Sequence, residues 1–447
     1  MKIATTTAAF TMFFAGAALA AECPNMSGIV VPGAERQLNW CLDDLSTPHL
    51  ILTNHTDASD WGTLHARTTR NPTGAVPGIQ IDGHFRDTST TNAYNGWFKD
   101  SQFVIRLPDN WNGKLAITGA PGIRKQFAGD YLFSDWLLAR GYAYASTDKG
   151  NNGTNFFKDG ATPGDAIVEW NQRVTELTLA AKNVVQQRYG EAPAFTYITG
   201  ISNGGYLTRH ALENHPELYD GGVDWEGTHW RPEGPNLFNY LPAALKYYPR
   251  WRLGDPLAYQ KMIEAGFAPG SEMIWDHHYA VYWDLTQRTY REEMDPDFDT
   301  TLEAGVPFCA SGTPYCDADY NYAARPQAVR DAVAKVSLTG RIGKPMITLH
   351  GTLDALLPIS ENSDHYARMV KDAGRQNLHR YYVVEGGNHV DQLYDEFPQQ
   401  LRPIVGCYRA AFVALENWVE GRGNVKPPAS RFIPRPTSGD ITNDCTL

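Results

Sequence analysis

Phe195–Tyr206 reads FTYITGISNGGY. The first five residues, Phe195–Thr199, are all aromatic or β-branched, which predicts a strand. Gly200-Ile201-Ser202-Asn203-Gly204 follows, and then a helix-like stretch, Tyr206–Asn214. A G-x-S-x-G set between a strand and a helix puts its serine on a tight, strained turn, with the hydroxyl standing clear of the sheet. Small residues must flank the serine for such a turn to close.

Outward from this turn the chain alternates strand and helix. Upstream, Lys114–Thr118 (KLAIT) and Ala143–Ser146 (AYAS) read as strands and Tyr131–Arg140 as a helix. Ala166–Tyr189 places apolar residues at helical spacing over about six turns. Downstream, Gly222–Trp225, Lys344–His350 and His379–Val384 read as strands, and Ser360–Ala373 and Pro403–Glu420 as helices. This alternation predicts an α/β architecture with a mostly parallel sheet and helices on both faces. It is interrupted over Thr228–Lys335 by an aromatic-rich run with scattered Pro and Gly, read as a large, mostly helical inserted lid. The expected boundaries are a targeting segment at 1–20 and an N-terminal β-rich segment at 21–100. The core occupies 101–227 and 336–423, the lid 228–335 and a Pro-rich tail 424–447.

A serine hydroxyl is a weak nucleophile at neutral pH. It needs a base to take its proton, and the base needs an orienting acid. In a sheet of this kind the order along the chain is Ser, then Asp or Glu, then His, each on a loop at the C-terminal end of a strand. LHGTL at 349–353 runs into Asp354, and VVEGGNHVD at 383–391 presents His389 after a Gly-Gly turn. Ser202 is therefore the candidate nucleophile, His389 the general base and acid, and Asp354 the orienting acid. Glu226 and Asp224, after the strand that follows the serine, are the alternative acids. Asp391 stands too close to His389 in sequence to orient it. A tetrahedral oxyanion also needs N–H donors. Asn203, next to the nucleophile, supplies the first. The loop Thr118-Gly119-Ala120-Pro121-Gly122 supplies the second; Pro121 has no N–H, so Ala120 or Gly122 must donate, with Ala120 favoured.

Other residues carry weaker signals. Arg124 and Lys149 are candidates to hold an acidic group of a substrate. Trp230 and Trp283, in the aromatic-rich lid, are candidate substrate contacts. Trp275-Asp276-His277-His278 invites a metal reading, but adjacent histidines on a helix point in different directions. No zinc-type Cys/His spacing and no phosphate-binding glycine loop is present, so neither metal nor cofactor is expected.

The 447 residues include 39 Lys+Arg and 50 Asp+Glu, a formal net charge of −11. With no basic block, nucleic acid and anionic membranes are poor partners. Lys2, the apolar run Ala9–Leu19 and the Ala18-Leu19-Ala20 cleavage box read as a signal for export, too short for a membrane anchor. The expected location is secreted or periplasmic. The six cysteines suit an oxidising compartment. Proximity favours Cys23–Cys41, Cys309–Cys316 and Cys407–Cys445.

Three runs, GISNG at 200–204, HGTLD ending at Asp354 and GGNH ending at His389, resemble the α/β-hydrolase superfamily over roughly 100–227 and 336–423. Within it the chain is similar to the tannase and feruloyl-esterase-like secreted esterases. The similar features are SDWLLARGYAYASTDKGN at 134–151 and the large insertion before the acid. The resemblance implies an α/β-hydrolase fold and hydrolysis of esters of bulky, often aromatic, acids, small or oligomeric. Ile201 and Val390 stand where true tannases carry a cysteine pair, so that disulfide brace is absent. A looser resemblance is to secreted hydrolases of hydroxyalkanoate polyesters and their oligomers. A secreted serine peptidase, with Glu226 or Asp224 serving a peptide pocket, and a non-enzymatic binding protein on the same fold are the remaining readings.

Overall fold

The computed structural model describes residues 22–150, 153–298, 317–421 and 425–447. The expected targeting segment and the Cys309–Cys316 pair lie outside the described residues. Among the described residues ten strands form one sheet: β1 Ala34–Leu42, β2 Gly78–Phe85, β3 Gln102–Pro108, β4 Lys114–Gly119, β5 Ala143–Thr147, β6 Phe195–Ile201, β7 Gly221–Trp225, β8 Met346–Gly351, β9 His379–Val384 and β10 Arg431–Ile433. Their order across the sheet is β1-β2-β3-β5-β4-β6-β7-β8-β9-β10. β1, β2, β3 and β5 pair antiparallel; every later pairing is parallel. Parallel strands need both faces covered, and β4 to β8 are buried along almost their whole length.

The covering helices follow the apolar spacing. Asp165–Tyr189 buries Ile167, Trp170, Val174, Leu177, Ala181 and Val184, and is closed at both ends by left-handed glycines, Gly164 and Gly190. It packs on β4 and β5 beside the helix Asn203–Asn214. Val405–Val419 covers β7 and β8 with Tyr408, Phe412 and Leu415. Tyr408 there packs against Phe133 and Trp225.

Between β7 and β8 the chain leaves the sheet for a helical layer. Leu237–Arg252 and Pro256–Glu264 come first. Trp275–Met294 is then one continuous helical run with a π turn at Tyr279–Trp283, and Gln327–Ala334 follows. The N-terminal segment mixes the long β1–β2 pair with short helices at Thr47–Thr53 and Ala58–Trp61. The helix expected over Tyr131–Arg140 opens as a π turn at Asp130–Ser134 and ends at Leu138. At the ends of the chain, Cys23–Cys41 ties the N-terminus to β1, and Cys407–Cys445 pins the tail to the helix Val405–Val419. The tail then adds β10 alongside β9.

Candidate active site

The turn after β6 is shaped by its glycines. A Cβ at Gly200 would meet the Gly204 backbone at 2.4 Å, and one at Gly204 would meet the Gly119 carbonyl at 2.6 Å. Strand and helix therefore approach too closely for any other residue. Ser202 sits between them at φ 59° and ψ −120°, a region non-glycine residues rarely occupy. The surroundings hold it there: its N–H donates to the Trp225 carbonyl at 3.0 Å, and its own carbonyl accepts from Tyr206 and Thr228.

Two loops at the same sheet edge complete the arrangement. Ser202 Oγ lies 3.1 Å from His389 Nε2, and His389 Nδ1 lies 2.9 Å from Asp354 Oδ2. With Nδ1–H donating to the carboxylate, Nε2 is left as the acceptor for the serine proton. Asp354 follows β8 and is buried. Its Oδ1 accepts the N–H groups of Leu356 and Leu357, both at 2.8 Å. Burial pushes its carboxyl up, but His389 and His350 outweigh that and hold it well below the usual carboxylate range. His350 Nε2 stands 3.3 Å from Asp354, while its Nδ1 meets Ser363 Oγ at 2.7 Å. Ser363 in turn accepts from Arg209.

The alternative acids are placed differently. Asp224 pairs with Arg209 at 2.6 Å and also accepts from Thr348 and Gly227, away from His389. Glu226 approaches His389 Nδ1 only to 3.9 Å, and its Oε1 accepts from the Gly351 N–H at 2.7 Å. Burial first, and then the charge of Asp354, push Glu226 well above the ordinary carboxylate range. The two carboxyls that share the corner behind His389 are thus shifted in opposite directions. Asp391 accepts from Ile404 and Val405 N–H and points elsewhere.

Among the described residues, the N–H groups of Asn203, Gly122 and Ile123 make no hydrogen bond, and all three residues line the cavity at Ser202. Ala120 corrects the expectation. Its N–H donates to the Thr147 carbonyl at 3.0 Å, extending the β4–β5 ladder by one residue, so the second donor falls to Gly122 or Ile123. The Asn203 side chain adds a link not evident in the sequence. Its Nδ2 donates to the Gly122 carbonyl at 3.1 Å and to the Tyr290 hydroxyl at 2.5 Å, and its Oδ1 accepts from Thr228 Oγ1 at 3.0 Å. One amide thereby joins the serine turn, the loop after β4 and the helical layer between β7 and β8.

The cavity above Ser202 has a volume of about 630 Å³. Leu64, Ile123, Ile201, Leu237, Leu356, Leu357 and Val390 make much of its wall. The helical run Trp275–Met294 contributes His277, Val281, Tyr282, Leu285, Thr286, Thr289 and Tyr290. A π turn inserts an extra residue into the helix and re-aims the face beyond it.

Of the four residues expected at a substrate, Arg124 lines this cavity. The other three are corrected. Lys149 is fully buried with its ammonium over the Trp170 ring, and burial lowers it to about 8. Trp230 is buried against Phe238 and Tyr290. Trp283 is buried with its Nε1 donating to the Ala355 carbonyl at 2.7 Å, a tie between the helical layer and the Asp354 loop. The His277–His278 pair splits as adjacent helical residues do: His277 lines the cavity, while His278 is buried with its Nδ1 at the Ile274 carbonyl. Thr228, Tyr290 and Gln392 line the cavity without any signal in the sequence reading.

Sheet order, the turn after β6 and the edge on which Ser202, Asp354 and His389 meet define the α/β-hydrolase fold. An esterase from Aspergillus oryzae shares it with a TM-score of 0.54 at 15% identity, over 91% of this chain and 90% of that one. Feruloyl esterase B from the same organism gives 0.52 at 14% identity, over 90% of each chain. Residues 90–224 match the model of the family described as tannase and feruloyl esterase. The probable feruloyl esterase B-2 of Aspergillus flavus is 30% identical over 123 residues, which span 26% of this chain and 22% of that protein.

Proposed function

We propose that this chain is an exported carboxylic ester hydrolase that acts on esters of aromatic acids through an acyl-enzyme on Ser202. The observation that carries the proposal is the hydrogen-bonded line Ser202–His389–Asp354 opening into a largely apolar cavity. Ser202 Oγ attacks the ester carbonyl as His389 Nε2 takes its proton. The carbonyl oxygen becomes an oxyanion, held by the N–H of Asn203 and that of Gly122 or Ile123; each such donor contributes about 3 kcal/mol. The imidazolium, stabilised by Asp354, returns the proton to the leaving alcohol. His389 then deprotonates a water, which attacks the acyl-enzyme, releases the acid and restores Ser202.

The aromatic preference is supported by the walls. Covering one aromatic ring with such side chains stabilises a complex by about 2–3 kcal/mol, and the volume suits a small ligand. The family match and the feruloyl esterase relative support the same class. Export is supported by the Cys23–Cys41 and Cys407–Cys445 disulfides among the described residues. Among the described residues no helix is long and apolar enough to cross a membrane.

The test is a set of initial rates on methyl ferulate, a gallate ester and a short-chain nitrophenyl ester, with Ser202→Ala alongside. The proposal expects turnover that falls by at least about 10⁴-fold in Ser202→Ala while the variant stays folded. A folded wild-type chain that turns over none of these esters would remove it.

A further inference from the structure

Charge is distributed unevenly between this molecule and its cavity. The whole chain has a formal net charge of −11, yet no Asp or Glu lines the cavity at Ser202, and one guanidinium does. That group is Arg124, on the loop after β4, two residues beyond Gly122. Its Nη1 donates to the Asp60 carbonyl and its Nη2 to Thr63 Oγ1, both at 2.7 Å. Both acceptors are neutral, so they orient the guanidinium without discharging it. The Tyr282 hydroxyl lies beside it and feels its charge.

The neighbouring cation is treated differently. Lys125 pairs with Asp57 at 2.7 Å. The Asp60 carboxyl accepts the Lys125 N–H at 2.8 Å and makes no ion pair with Arg124. Among the described residues Arg124 has no ion-pair partner. A guanidinium carries five N–H donors in a planar fork, and its unused donors match the two oxygens of a carboxylate. In a wall of aliphatic side chains such a pair is screened less than in water.

We infer that Arg124 forms a subsite for a free carboxylate carried by the ester substrate. This rests on the ester-hydrolase reading and narrows it to anionic esters. The carboxylate can stand on the acid half, as in a monoester of an aromatic dicarboxylic acid, or on the alcohol half, as in an aromatic ester of a hydroxy acid. The alternative role for Arg124 is structural, since its two bonds also tie the loop after β4 to the Asp60–Thr63 turn.

Matched substrates separate these roles. Monomethyl terephthalate is compared with methyl 4-methylbenzoate for the acid half. Caffeoylquinate is compared with its methyl ester for the alcohol half, following caffeate release. The readout is the ratio of kcat/KM for the charged over the neutral member. Wild type is expected to favour the charged member of one pair by about tenfold or more, chiefly through KM, and the favoured pair identifies the half. Arg124→Gln should bring that ratio to near one, and Arg124→Lys should restore part of it. A wild-type ratio at or below one in both pairs, or a ratio that Arg124→Gln leaves unchanged, overturns the subsite. A loosened loop would lower both members together and leave the ratio intact. Neutral esters turned over without charge preference defeat only the subsite; no turnover of any ester defeats the underlying reading. In that event terephthalate binding, followed by tryptophan fluorescence against 4-methylbenzoate, still decides. Tighter terephthalate binding that Arg124→Gln abolishes supports the subsite, and equal binding refutes it.

Discussion

Asp354 and Glu226 occupy one buried corner behind His389, and their carboxyls are shifted in opposite directions. Burial opposes ionisation of both, but the two imidazoles facing Asp354 hold its carboxyl well below the usual carboxylate range, while burial and the charge of Asp354 push Glu226 well above it. Asp354→Asn should lower kcat by about 10³–10⁴-fold, through loss of imidazole orientation and stabilisation. Glu226→Gln should leave kcat within about threefold, because Glu226 stands 3.9 Å from His389 Nδ1 and an amide matches the protonated form toward which its carboxyl is pushed. The same contrast fixes a pH dependence. The folded state holds the Glu226 proton far above the ordinary value of 4.5, so the unfolded chain releases it first as pH rises. Stability linked to Glu226 is therefore fully present below that value and declines above it, by up to about 1.4 kcal/mol per pH unit. Glu226→Gln escapes this loss. Its melting temperature should match or trail wild type near pH 4 and exceed it increasingly toward pH 8; a constant difference across that range would show that Glu226 is ionised in the fold. In the sequence, order along the chain and position after strands picked out Ser202, Asp354 and His389, because those rules follow from parallel strands ending at one edge. The choice between Asp354 and Glu226 rests on a difference of 2.9 against 3.9 Å at His389 Nδ1, which no sequence pattern encodes.

At the scale of elements, the serine turn and its neighbours act as one clamp. Gly204→Ala puts a methyl group 2.6 Å from the Gly119 carbonyl, so β4 and the helix Asn203–Asn214 must part. A loss of about 2–4 kcal/mol and of ester turnover is expected, read by denaturant unfolding and initial rates. Asn203→Ala keeps the backbone donor but releases Gly122, Tyr290 and Thr228 together. It should lower kcat/KM by about ten- to a hundredfold; a fall in melting temperature with unchanged kinetics would make the side chain purely structural. The strands and long helices were legible because apolar periodicity and strand punctuation are local signals. Ala120 was not, because its N–H is claimed by Thr147 on a neighbouring strand, a nonlocal event. Lys149, Trp230 and Trp283 read as contacts because residue type is visible in sequence and burial is not. Tyr290 and Thr289 reach the cavity past a π turn, which shifts helical phase where a 3.6-residue pattern would misplace the face.

Across the whole molecule, the site is assembled from distant stretches, since Ser202 and His389 are 187 positions apart. The framework that brings them together is the parallel sheet, and the tail fastens its far edge. Removing the Cys407–Cys445 bridge by Cys445→Ser should cost about 3–4 kcal/mol by freeing a 38-residue loop in the unfolded chain, with little change in the ester turnover proposed for the folded protein. In the proposed reaction Ser202 is acylated by an ester and released by water. It is tested most directly by quenching the protein with acid during turnover of methyl ferulate and weighing the intact chain and its peptides. A feruloyl adduct is expected on the peptide containing Ser202, at higher occupancy early than after the ester is consumed, and absent in Ser202→Ala. Steady hydrolysis that persists in Ser202→Ala, or an adduct confined to another residue, would contradict it.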